Sequence, residues 1–190
     1  MPRRKKSPLS FAVPVVLLAL SGCSILDVNT PILPCPETRV LGDVGSFTRF
    51  RAGPGRDLSD ITFEGRIAKS IASCEYSISR DSGKGTLSVT MNVVFEAIRG
   101  PAARKNNVAF GYFAAVTDTS ENIISKDTFK MDIKFPANVT RLKRQGKKII
   151  LNIPLGPKDD GSEFTVFTGF RLSGEELKFN RANGQRLLRQ

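Results

Sequence analysis

Between residues 87 and 97 the side chains alternate almost without a break. Leu87, Val89, Met91, Val93, Phe95 and Ala97 hold one parity, and Thr86, Ser88, Thr90, Asn92 and Glu96 hold the other. A period of two places alternate residues on opposite faces of a strand, whereas one buried helix face needs a period near 3.6. This segment therefore predicts a β-strand with one face in a core, which in turn requires neighbours.

The same period recurs along the chain. Ile61, Phe63 and Ile67 share a parity that passes to Cys74, Tyr76 and Ile78, so a bulge or bend is expected near Ser70. Asp81-Ser82-Gly83-Lys84-Gly85 supplies a turn. Residues 108 to 116 are almost all apolar, as in a central strand buried on both faces. Phe129, Met131, Ile133 and Phe135 predict a further strand, as do Ile149, Leu151 and Ile153, and then Phe164, Val166, Phe170 and Leu172. Gly156 to Gly161 reads as the turn between the last two. With no long helical period between them, about seven strands over residues 37–180 predict an all-β fold: an antiparallel β-sandwich, immunoglobulin-like in character. Ser173 and Glu176 have capping-box spacing, which predicts a short C-terminal helical turn to about Asn180 with Leu177 buried. Residues 181–190 read as a loose basic tail, with docking through Leu187 and Leu188 as the alternative.

Composition narrows the chemistry. The chain of 190 residues has no His, which removes Ser-His-Asp and Cys-His catalysis, imidazole metal ligation and the usual proton shuttle near neutral pH. The length suits one domain with a core of its own. There are 29 Lys and Arg against 18 Asp and Glu, a net charge of +11.

Part of that charge sits at the N-terminus. Arg3, Arg4, Lys5 and Lys6 precede an apolar run from Leu9 to Leu20, which is too short to span a bilayer and matches the core of a signal peptide. The run ends in Leu20-Ser21-Gly22-Cys23. This quartet resembles the bacterial lipoprotein lipobox. The resemblance implies a signal peptide over 1–22, cleavage between Gly22 and Cys23, a diacylglycerol on the Cys23 sulfur and acylation of the new amine. Two or more acyl chains give stable membrane anchoring where one does not. Arg3-Arg4 lacks the following apolar pair of a twin-arginine signal, so general secretion is expected. Ser24 stands where Asp retains such lipoproteins in the inner membrane, which points to the outer membrane, on its periplasmic face. Without the leader, 25 basic and 18 acidic residues leave a side-chain charge of +7.

Residues 23–36 then form a lipidated N-terminus and proline-rich tether, with Pro31, Pro34 and Pro36. The alternative is that its second half packs on the domain as an edge strand, since Ile32 and Leu33 offer something to bury. Lipidation of Cys23 leaves Cys35 and Cys74, and an exported protein meets an oxidising compartment, so one disulfide between them is expected. Two buried free thiols are the alternative.

Motifs for chemistry are weak. Ser125-Lys126 and Ser82-Gly83-Lys84 do not make a Ser-Lys nucleophile, because strand neighbours point to opposite faces and the second trio is a turn. Gly83-Lys84-Gly85-Thr86 lacks the upstream glycine and the helix of a phosphate loop. Asp57 with Asp60, and Asp159 with Asp160, lie in turns where Asp bonds its own backbone, so no metal is expected. No cofactor and no enzymatic activity are expected, a hydrolase with a non-His base being the residual alternative.

Basic residues remain. Arg141, Lys143, Arg144, Lys147 and Lys148 crowd the stretch joining two predicted strands. They are either an anion-binding turn for anionic envelope lipids such as lipopolysaccharide, or a solvated hairpin whose lysines discourage edge-to-edge association. Arg99-Gly100-Pro101 with Arg104 and Lys105 forms a loop at one end of the expected sandwich, where such folds place recognition, although a plain connection is the favoured reading. The mature region is similar in character to small Gram-negative envelope lipoproteins of unassigned activity. The expectation is an acyl-anchored binding or structural module whose partner is an envelope lipid or protein, including a secretion or surface-assembly machine, and not nucleic acid.

Overall fold

The computed structural model describes residues 33–187. The expected signal peptide, the Gly22–Cys23 cleavage site and the first part of the tether lie outside the described residues. Two sheets stack face to face. One is ordered β1 (Glu37–Val40), β9 (Thr165–Arg171), β5 (Asn107–Thr117), β6 (Ile123–Lys134). The other runs β2 (Ser46–Phe50), β3 (Ile61–Ile78), β4 (Gly85–Arg99), with β7 (Arg141–Gln145) and β8 (Ile149–Leu155) both on the far side of β4. All pairings are antiparallel except β1 with β9. The β-sandwich read from the alternation is thus the architecture, with nine strands among the described residues rather than about seven. None of the described helices is long and apolar enough to cross a membrane.

The core follows the parities. Leu87, Val89, Met91, Val93, Phe95 and Ala97 are buried, facing Val108, Phe110, Tyr112, Ala114 and Val116 of the other sheet. The parity change in β3 occurs at Ala68, where the register with β4 slips by one residue and the inward side passes from Ile67 to Ser70. Toward one end the core is aromatic: Phe95 lies 5.1 Å from Phe110 and 4.7 Å from Tyr112, and Phe47 lies 5.0 Å from Phe170. Toward the other end Leu87, Val89, Leu151 and Ile153 make it largely aliphatic.

Three departures have local causes. Strands β1 and β2 fall in a stretch of the expected domain where no strand was named, yet Phe47 of β2 is among the most buried side chains. Strand β5 is central, but Ala109 on its outer side is exposed and Gly111 and Phe113 are half-buried. Those outward residues are apolar because they are small or carry a neighbour, as where the Arg171 stem crosses Gly111 and Lys126 lies 4.9 Å over the Phe113 ring. The C-terminal turn is a helix, α1 (Gly174–Leu187), that continues past Asn180 into the expected tail. The capping box is formed, with Ser173 N–H donating to Glu176 Oε2 at 2.7 Å and Glu176 N–H to Ser173 Oγ at 3.2 Å. Leu177 is half-buried; Phe179 packs 5.1 Å from Phe50, and the buried Asn180 amide donates to the carbonyls of Asp43 and Ser46 at 2.9 and 2.8 Å.

Candidate functional site

Strand directions sort the loops onto two poles. The β2–β3 loop (51–60), the β4–β5 loop (100–106) and the start of α1 share one pole, and the β3–β4 and β8–β9 loops share the other. At the first pole the two loops are bonded to the same strand start. Gly100 N–H donates to Thr62 O at 2.8 Å, Ala102 N–H to Ile61 O at 2.9 Å and Arg51 N–H to Asp60 O at 2.9 Å.

Between these loops opens a cleft of about 1030 Å³, floored by Phe50, Thr62 and Phe63 and walled by Arg51, Arg104 and Lys105. A second basin of about 580 Å³ shares Phe50, Arg51 and Thr62 and extends past Arg49 and Arg56 to Glu175 and Glu176 of α1. Each arginine of β2 and its loop is held by an acid. Arg49 Nε lies 2.7 Å from Glu176, Arg51 Nε 2.5 Å from the buried Asp60, and Arg56 Nη2 3.8 Å from Glu175. Arg56 also donates to the carbonyls of Gly53 and Gly55 and lies 5.3 Å over the Phe50 ring, which fixes the loop's shape. Burial pushes the Glu176 carboxyl up, but hydrogen bonds from Arg49 and Ser173 and the Arg49 charge outweigh it and hold it below the usual range. Arg104 and Lys105 are exposed and enter no ion pair among the described residues. Planar guanidinium groups around an apolar floor suit oxyanions attached to apolar groups.

The stretch from Arg141 to Lys148 has a different form from the one expected. It is not a hairpin. Strands β7 and β8 both pair with β4, the register sliding by one residue across Gly146–Lys148, so they form one bulged edge strand. Gly146 marks the bulge because a Cβ there would come within 2.8 Å of the buried Tyr112 hydroxyl. Arg141 turns to Glu96, which is 4% exposed and held between Arg141, at 3.3 Å, and Arg66. Burial raises the Glu96 carboxyl, but the Arg66 and Arg141 hydrogen bonds and charges lower it below its ordinary value. Lys143, Arg144, Lys147 and Lys148 are exposed along this edge and pair with no acid among the described residues. The structure does not gather the five residues around one cavity.

The four aspartates stay in their turns. Asp57 N–H donates to Asp60 Oδ2 at 3.1 Å, Gly156 N–H to Asp159 at 2.7 Å and Ser162 N–H to Asp160 at 2.8 Å. Arg49, Arg51 and Arg56 escaped the sequence reading. The available signal was three arginines within eight residues around Gly53-Pro54-Gly55, a rigid basic loop whose counterpart at Arg104 lies some fifty positions away.

At the opposite pole, Cys35 and Cys74 form the expected disulfide, with Cα atoms 5.8 Å apart. Beside it the Tyr76 hydroxyl accepts from Gly161 N–H at 2.7 Å and donates to Pro34 O at 2.5 Å. The end of the tether is thereby docked and continues into β1 as an edge strand, while Leu33 stays exposed. The chain gives no significant match to a family model, a curated protein or a solved structure.

Proposed function

We propose that the protein is an exported, acyl-anchored binding module of the bacterial cell envelope, with a basic cleft at the pole of its domain opposite the Cys35–Cys74 bridge. The observation that carries this reading is the opposition of two features. Cys35, Cys74 and Tyr76 fix where the N-terminal segment meets one pole, and the Arg51, Arg104 and Lys105 cleft opens at the other. Thirteen residues of β3 separate Cys74 from Ile61, roughly 40 Å at strand rise. Export is supported by the disulfide, which belongs to oxidising compartments. Anchoring is supported by Leu20-Ser21-Gly22-Cys23.

Replacing Cys23 by Ser tests the anchor. Loss of processing, of acyl-chain labelling and of membrane fractionation is expected; unchanged cleavage and membrane association would falsify the reading.

A further inference from the structure

We infer that the cleft takes an acidic polypeptide segment carrying apolar side chains, a proposal that rests on the cleft being the binding site. The free positive charge is local. Arg51 engages Asp60 through Nε, leaving its two terminal amines without an acid among the described residues, where Arg104 and Lys105 hold none either. A ligand carboxylate there repeats what Arg49, Arg51 and Arg56 already do with acids of their own chain.

The floor and loops between those charges also carry apolar groups, among them Phe50, Pro54, Pro101, Ala102 and Ala103, with the edge of the buried Phe63 beneath. A bare polyphosphate or polyuronate has nothing to bury against them, whereas Leu or Phe side chains alternating with carboxylates do. The trough is also polar along its length. In the second basin Arg49 and Arg56 are already paired with Glu176 and Glu175, so the positive charge left for a ligand is concentrated at the Arg104 and Lys105 end. The occupant therefore places its acids near Arg104 and Lys105.

The test uses the purified full-length protein in detergent and a fluorescein-labelled octapeptide alternating Glu with Leu and Phe, read by fluorescence anisotropy. Binding is expected to weaken between about 50 and 200 mM salt. The double variant Arg104→Glu, Lys105→Glu is expected to lose at least about tenfold in affinity, while the control Lys147→Glu, Lys148→Glu stays within about twofold. Both pairs lie on exposed backbone, and thermal melts check that each variant folds. A peptide with Gln for Glu, and one with Ser for Leu and Phe, should each bind about tenfold more weakly. The proposal is overturned if the wild-type protein does not bind, if both double variants lose equally, or if the Glu/Ser peptide or inorganic polyphosphate binds as tightly, which would assign a polyanion site. None of these readouts depends on acylation of Cys23, so the anchor and the ligand stand or fall separately.

Discussion

The ring of Phe47 occupies the space in which a side chain at residue 65 would stand, and a Cβ on Gly65 would come within 2.3 Å of Phe47 Cε1. The two residues are cross-strand partners of β2 and β3. The gap in the apolar parity of β3 between Phe63 and Ile67 is thus filled from the neighbouring strand. Phe47 has nowhere to retreat, lying 5.6 Å from Phe110 and 5.0 Å from Phe170. Gly65→Ala is expected to cost about 2 to 3 kcal/mol by overpacking. Urea denaturation measures this; a change below about 0.5 kcal/mol would show that the ring is not confined.

Removing the disulfide by Cys35→Ser with Cys74→Ser opens a loop of sequence separation 39 and is expected to cost about 3 to 4 kcal/mol in the chain-entropy model. Tyr76→Phe removes the hydroxyl that serves both Pro34 O and Gly161 N–H, with an expected loss of about 1 to 2 kcal/mol. The two changes should not add, because both release the same segment. Thermal melts of the single, double and triple variants give the coupling directly, and simple additivity would refute a shared clamp.

Glu96 supplies a pH dependence whose sign can be worked out. Its folded carboxyl is lowered, burial opposing and Arg66 and Arg141 prevailing, so its stabilising contribution is complete above the unfolded value near 4.3 and is lost as pH falls through the lower folded value. Glu96→Gln is expected to cost about 1 to 3 kcal/mol at neutral pH, because it leaves two guanidinium groups without a counter-charge beside a buried amide. The difference between the two proteins should shrink below about pH 4. A difference that is constant from neutral pH into that acid range, in a series of urea titrations, would show that the carboxylate charge plays no part.

The free edge formed by β7 and β8 carries Ile150, 52% exposed, between lysines and Pro154. Neutralising Lys143, Arg144, Lys147 and Lys148 to Gln is expected to leave stability within about 0.5 kcal/mol and to promote self-association through that edge. Sedimentation velocity reads the outcome, and a strictly monomeric quadruple variant would count against edge protection.

What could be read from the residues was whatever repeats locally. The alternations at 87–97, 129–135 and 149–153 identify strands by themselves, and the parity change in β3 was visible two residues from the bulge at Ala68. The capping box needed only Ser173 and Glu176. Features set by distant partners stayed hidden. Gly146 between charged residues has the chemistry of a hairpin turn, and only its register against β4 and the Tyr112 hydroxyl beneath it make it a bulge. The helix extends past Asn180 because that side chain reaches back to Asp43 and Ser46, well over a hundred positions away. The cleft is half such a case: the Arg104 and Lys105 loop was named from the sequence, but Arg51 was not, and the antiparallel pairing of β3 with β4 brings the two loops together.

The bridge at Cys35 also decides where mechanical load travels. Tension arriving from the N-terminal side passes through sulfur to Cys74 and bypasses the four-residue β1. It enters β3, which is held along its length by β4 and at its far end by β2. Pulled along its own axis, such a strand resists in shear, with the whole ladder bearing force together instead of opening one rung at a time. The N-terminal end of the described domain is thus tied to a strand whose ladder with β4 runs from Phe63 to Ile78.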